Sequence, residues 1–166
     1  MNDLTIERHN AITTELCVVC DLIEDIIVQS NRSHNDPDSN SRSTPDLTIT
    51  LQGITYYIDV TYRTPTCPSY WSLAPDVYLK KGEAAKRKLY NGRLPANGVM
   101  VPFVLDTAGN YSPSAIAFVK RLVAAQDPLC ASLSASAIYR RMSLVTAAFN
   151  AKMVKEFNTI QLVKVV

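Results

Sequence analysis

Apolar residues recur at helical spacing near the start of the chain. Ile12, Leu16, Val19, Ile23 and Ile26 form one stripe, with Glu7, Glu15 and Glu24 lying off it. This pattern predicts a single amphipathic helix over residues 5–29. Residues 30–44, SNRSHNDPDSNSRST, are almost wholly polar and predict a flexible loop. The period then drops to two. Leu47, Ile49 and Leu51 alternate with threonines, and Ile54, Tyr56, Ile58, Val60 and Tyr62 alternate with Thr55, Tyr57, Asp59 and Thr61. Two strands are predicted, joined by a tight two-residue turn at Gln52-Gly53.

Residues 63–79 contain Pro65, Pro68 and Pro75 and are read as a loop. A basic helix, KKGEAAKRKLYN, follows and closes near Asn91-Gly92. The run VMVPFVLDT, from Val99, predicts a buried strand, though Pro102 either counts against a strand or places it on an edge. Ser112 is a good N-cap and Pro113 a good first-turn residue, so a helix should start there and bury Ile116, Val119 and Val123. A last helix is expected from about residue 132 to 157, with Ile138, Met142, Val145 and Phe149 inward; the tail, IQLVKVV, could add a strand. The order αββαβαα gives an α/β fold: a small mixed sheet flanked by helices, in one domain over residues 1–166.

Composition agrees with that reading. At 166 residues, 47% hydrophobic and 19% charged, the chain can bury one sizeable core. No apolar run reaches the roughly 18 residues of a membrane span. The N-terminus, MNDLTIERHN, lacks the apolar core of a signal peptide, so a soluble intracellular protein is expected. Cys17 and Cys20 form a C-x-x-C, but no second Cys or His pair follows. On a helix the two share a face and should pack as small hydrophobes. Charge is asymmetric beneath the net +2: residues 1–60 hold ten Asp/Glu and three Lys/Arg, residues 61–166 five and fourteen. An acidic half able to hold metal and a basic half able to hold phosphate suit a nuclease.

The hairpin carries the chemistry. With Gln52 and Gly53 as the turn, Leu51 faces Ile54, and the same register sets Asp46 opposite Asp59, away from the apolar face. Carboxylates this close repel unless a cation lies between them. Oxygen ligands without Cys or His favour Mg²⁺ or Mn²⁺ over zinc.

Pro45-Asp46, twelve residues, then Asp59 resembles the core of the PD-(D/E)xK nucleases. More narrowly, the chain resembles the restriction-like endonuclease domain of site-specific non-LTR retrotransposons. The matching pieces, in order, are Arg8-His9-Asn10, Pro45-Asp46, Asp59-Val60-Thr61, Lys86 with Tyr90, Val101-Pro102-Phe103 with Asp106-Thr107 and Gly109, Pro113 with Ala115, and Asn150-Ala151. The resemblance implies a restriction-endonuclease-like three-layer fold and an Mg²⁺-dependent nuclease. Such an enzyme nicks target DNA, in the nucleus, so that a linked reverse transcriptase can prime from the break. It also implies that the chain is a fragment of a longer retroelement protein. Asp46 and Asp59, with the backbone carbonyl of Val60, would be the metal ligands.

In the general pattern a lysine stands two residues after the second acid; here that residue is Thr61. The retrotransposon branch is similar in placing a lysine on the next helix. Lys86, four residues before Tyr90, fits best, with Lys80, Lys81 and Lys88 as other candidates. Glu15 or Glu24 could supply a third acid, as in the archaeal Holliday-junction resolvases that share the fold. Lys80, Lys81, Arg87 and Lys88, with Arg140 and Arg141, are candidates for gripping DNA phosphates. Two alternatives stay open: an inert nuclease fold kept as a nucleic-acid-binding or scaffolding module, and a junction resolvase, which would need a homodimer.

Overall fold

The computed structural model describes residues 2–30, 44–126 and 133–163. Eight elements follow in order: α1 (Asn2–Asp21), β1 (Ile26–Ser30), β2 (Leu47–Leu51), β3 (Ile54–Arg63), α2 (Pro75–Tyr90), β4 (Gly98–Asp106), α3 (Pro113–Ala124) and α4 (Ala135–Val163). The strands form one mixed sheet in the order β1-β2-β3-β4. β1, β2 and β3 pair antiparallel, and β3 pairs with β4 in parallel.

The hairpin has the expected register: Leu51 pairs with Ile54 and Leu47 with Ile58. Gln52 and Gly53 both take positive φ, 51° and 76°, as a tight turn matching the twist of its strands requires. Alternation then sorts the side chains. Leu47, Ile49, Leu51, Tyr56, Ile58, Val60, Val101, Phe103 and Leu105 join one core with residues of α1, α3 and α4. The other face of the sheet is covered by α2, where Tyr78 and Leu79 pack on Val104. Helices therefore lie on both faces. Gly82 allows α2 to come close, because a Cβ there would meet Val104 Cγ1 at 2.9 Å. That approach sets how far the next turns of α2, with Lys86 and Tyr90, reach over β3.

Several expectations are corrected. The first helix stops at Asp21, and Ile26, placed on its stripe, belongs to the edge strand β1. Asp25, with φ 59°, turns the chain between them. The polar loop begins one residue later than expected, since Ser30 ends β1; residues 31–43 lie outside the described residues. The basic helix starts at Pro75, which serves as its first residue and so opens the helix that it was expected to precede. On α3 the fully buried positions are Ala115, Phe118, Val119 and Leu122, while Ile116 and Val123 are only partly buried. Its start is as expected, with Ser112 Oγ accepting from the N–H of Ala115. The segment offered as a tail strand is helical as far as Val163. Pro102 does sit on an edge strand, opposite Asp59.

Cys17 and Cys20 both lie on α1, Cys17 partly buried. Cys20 is fully buried, and burial pushes its thiol up to about 12, so it packs and does not react. Cys130 lies outside the described residues. None of the helices, over the described residues, is long and apolar enough to cross a membrane.

Candidate functional site

β2 starts no earlier than Leu47 for a local reason. Continued register sets Pro45 opposite Val60, and Pro45 has no N–H to give the Val60 carbonyl. The Val60 N–H is taken instead by the Asp46 side chain, Oδ2 accepting at 2.7 Å. The other carboxylate oxygen, Asp46 Oδ1, lies 3.0 Å from His9 Nε2 on α1. Asp46 is thus held at the end of the hairpin by a helix and by the neighbouring strand.

Asp59, one residue before Val60, points toward α2 and is only 5% exposed. Lys86 Nζ lies 2.8 Å from Asp59 Oδ1. The Tyr90 hydroxyl donates to Asp59 Oδ2 at 2.6 Å. Lys86 and Tyr90 are one helical turn apart, so both fall on the face of α2 above β3. Burial, then the bond to Asp59, raises the Tyr90 hydroxyl well above the usual tyrosine range. It therefore acts as a hydrogen-bond donor at neutral pH.

These groups line one cleft of about 450 Å³, together with Thr5, Ile6, Thr44, Thr61 and Tyr62. Thr61 Oγ1 is buried there without a hydrogen-bond partner among the described residues. Tyr62 is pushed up to about 12 by burial, and its hydroxyl meets Thr146 Oγ1 at 2.6 Å. The cleft joins two carboxylates, one ammonium, one imidazole and two hydroxyls that stay protonated.

Among the described residues, no group of three or more His, Cys, Asp and Glu side chains is arranged to hold a metal. A divalent cation that uses oxygen ligands does not need one. Mg²⁺ is commonly held by one or two carboxylates, with waters and substrate phosphates completing its shell. The donor set here fits that habit: two carboxylates, a strand carbonyl without its Pro45 donor, and the unpartnered Thr61 hydroxyl.

Of the proposed lysines, only Lys86 lines the cleft. Lys80 pairs with Asp76 at 3.6 Å, and Lys81 and Lys88 are exposed. Arg87 turns toward β4 and α3, bonding Met100 O and Ser114 Oγ. Arg140 is exposed, and Arg141 is paired with Glu15. Neither candidate third acid reaches the cleft: Glu15 is engaged by Arg141, and Glu24 is exposed beyond the end of α1.

His9 is the cleft residue whose role the sequence did not define. Its neighbour Arg8 has a structural task. The Arg8 guanidinium is buried over the Tyr62 ring, 4.2 Å from its centroid, and donates to Asn150 Oδ1 at 3.2 Å. Asn150 Nδ2 in turn donates to Thr107 O at 2.8 Å. Asp106 accepts from the N–H groups of Ala108 and Asn110 and from the Tyr78 hydroxyl. The motif pieces outside the cleft therefore tie α1, α4 and the β4–α3 loop together. No protein-family model matches the chain, and no curated protein matches it.

Proposed function

We propose that the chain is a metal-dependent DNA endonuclease domain with a restriction-endonuclease-like fold, nicking target DNA for reverse transcription by a linked polymerase. The observation that carries this reading is the meeting of Asp46, Asp59 and Lys86 in one cleft on a mixed sheet flanked by helices. Asp46, Asp59 and the Val60 carbonyl would hold Mg²⁺ or Mn²⁺, which would supply Lewis acidity and charge neutralisation when bound.

The chain's own groups divide the remaining work. Lys86, held by Asp59, offers a positive charge for the negative charge that develops on the phosphate oxygens in the transition state. Tyr90 fixes the second oxygen of Asp59 and so fixes its orientation. His9 and the Val60 N–H do the same for Asp46. Thr61 stands at the strand position of the usual lysine and has a hydroxyl to offer water or phosphate.

One observation favours a second reading, an inert nucleic-acid-binding module. All four carboxylate oxygens of Asp46 and Asp59 already have protein partners, so the site is self-satisfied without metal. Incubation of supercoiled plasmid with the protein separates the two. The nuclease gives nicked circles with Mg²⁺ or Mn²⁺ and none with EDTA. Binding of the plasmid without nicking under any metal would favour the inert module.

A further inference from the structure

A second pocket, of about 150 Å³, opens beside the edge strand β4. Arg87 from α2 and Arg121 from α3 both line it, with Met100 and Ser114 between them. The two arginines are held by neutral groups. Arg87 donates through Nη2 to Ser114 Oγ at 2.8 Å and through Nη1 to Met100 O at 3.4 Å. Arg121 donates through Nη1 to the Tyr56 hydroxyl at 3.3 Å, its guanidinium 5.5 Å from the centre of the Tyr56 ring.

Among the described residues no carboxylate forms an ion pair with either guanidinium. The nearest acid along α2, Glu83, accepts instead from the N–H of Ser114 at 2.7 Å and so serves the first turn of α3. Both arginine side chains are exposed, and two cations against this one carboxylate leave the locus net positive. Each guanidinium has five N–H donors in a planar fork, and the bonds above use two of Arg87 and one of Arg121. Paired guanidinium forks match a tetrahedral oxyanion. The volume suits a phosphate group and is well below the roughly 300 Å³ at which small-molecule sites begin.

We propose that Arg87 and Arg121 form a phosphodiester-binding pocket that grips the DNA backbone away from the cleft. DNA as the source of the phosphate rests on the function proposed above; the pocket's preference for an oxyanion does not. Lys86 and Arg87 are adjacent on α2 but line different pockets, so one helix would contact the backbone at two places. The second grip would fix the register of the duplex without reading its sequence.

Two measurements test this. The first follows the Nε–Hε NMR signals of Arg87 and Arg121 during titration with dimethyl phosphate. Both should shift together and saturate. The second measures affinity for a short duplex across a range of salt concentrations. Arg87→Gln/Arg121→Gln should make the negative slope of log K against log[salt] shallower by about 0.9, the contribution of one neutralised phosphate. Should that double variant melt early, Ala117→Glu places a carboxylate at the exposed wall of the pocket with both arginines kept, and should make the slope shallower as well. Unmoved arginine signals would overturn the pocket. Shifts with dimethyl phosphate but an unchanged DNA slope in a folded variant would overturn the DNA assignment. Wild-type protein that neither binds nor nicks DNA, yet shows the shifts, would sink the proposed function and leave the oxyanion pocket standing.

Discussion

His9 Nε2 lies 3.0 Å from Asp46 Oδ1, joining the first helix to the hairpin across 37 positions of chain. The contact orients a proposed metal ligand from outside the ligand set. Removing such an oriented partner commonly costs 10–100-fold in metal affinity or activity. His9→Ala should therefore raise the Mg²⁺ concentration needed for half-maximal nicking by about that factor, and weaken metal binding by calorimetry. An unchanged metal dependence would mean that the contact does not position Asp46 for metal.

That contact was hidden in the sequence because nothing in a one-dimensional pattern links a helix start to a strand start. The hairpin was legible, since strict alternation and Gln52-Gly53 leave one register that buries Leu47, Ile49 and Leu51 together. The same register points to Asp46 and Asp59, but the ladder stops at Leu47 and Ile58, so Asp46 lies just outside the strand that was expected to set it opposite Asp59. Edge strand β1 was not legible. Ile23 and Ile26 continue the helical spacing, and the break between them rests on the backbone of Asp25 and not on Gly or Pro. Pro75 misled in the opposite way, since a proline marks a loop and a helix start equally well. Lys86 stands out from the other lysines of α2 only through the resemblance, which implies a lysine four residues before the tyrosine; the helix puts both residues on one face over Asp59.

Tyr90 gives a pH-dependent prediction. Its folded-state value is raised above the ordinary 10.0, chiefly by burial and then by the bond to Asp59. The raised value stabilises the fold fully below pH 10 and does so less as pH rises, because only the unfolded chain then gives up the proton. Tyr90→Phe should cost about 1.5–3 kcal/mol near neutral pH, the usual worth of a hydrogen bond to a charged group. The gap in Tm between wild type and variant should narrow between pH 9 and 11. A gap that is constant over this range would mean that Tyr90 ionises normally in the folded protein.

Thr61 separates structural from functional roles. Its buried hydroxyl has no partner among the described residues, and an unsatisfied buried polar group costs about 1–3 kcal/mol. Thr61→Val keeps the side-chain shape and removes the unsatisfied group. The variant should melt higher than wild type without metal, yet nick more slowly with it. Equal nicking with a higher melting point would remove Thr61 from the catalytic account.

The central claim is that Asp46 and Asp59 hold the metal that drives phosphodiester cleavage. Nicking of supercoiled plasmid and binding of a duplex, measured side by side for wild type and Asp59→Ala in Mg²⁺, test it most directly. Loss of a ligand should reduce nicking by orders of magnitude, while binding persists or tightens because a negative charge near the DNA backbone is gone. Nicking by Asp59→Ala at the wild-type rate would contradict the account.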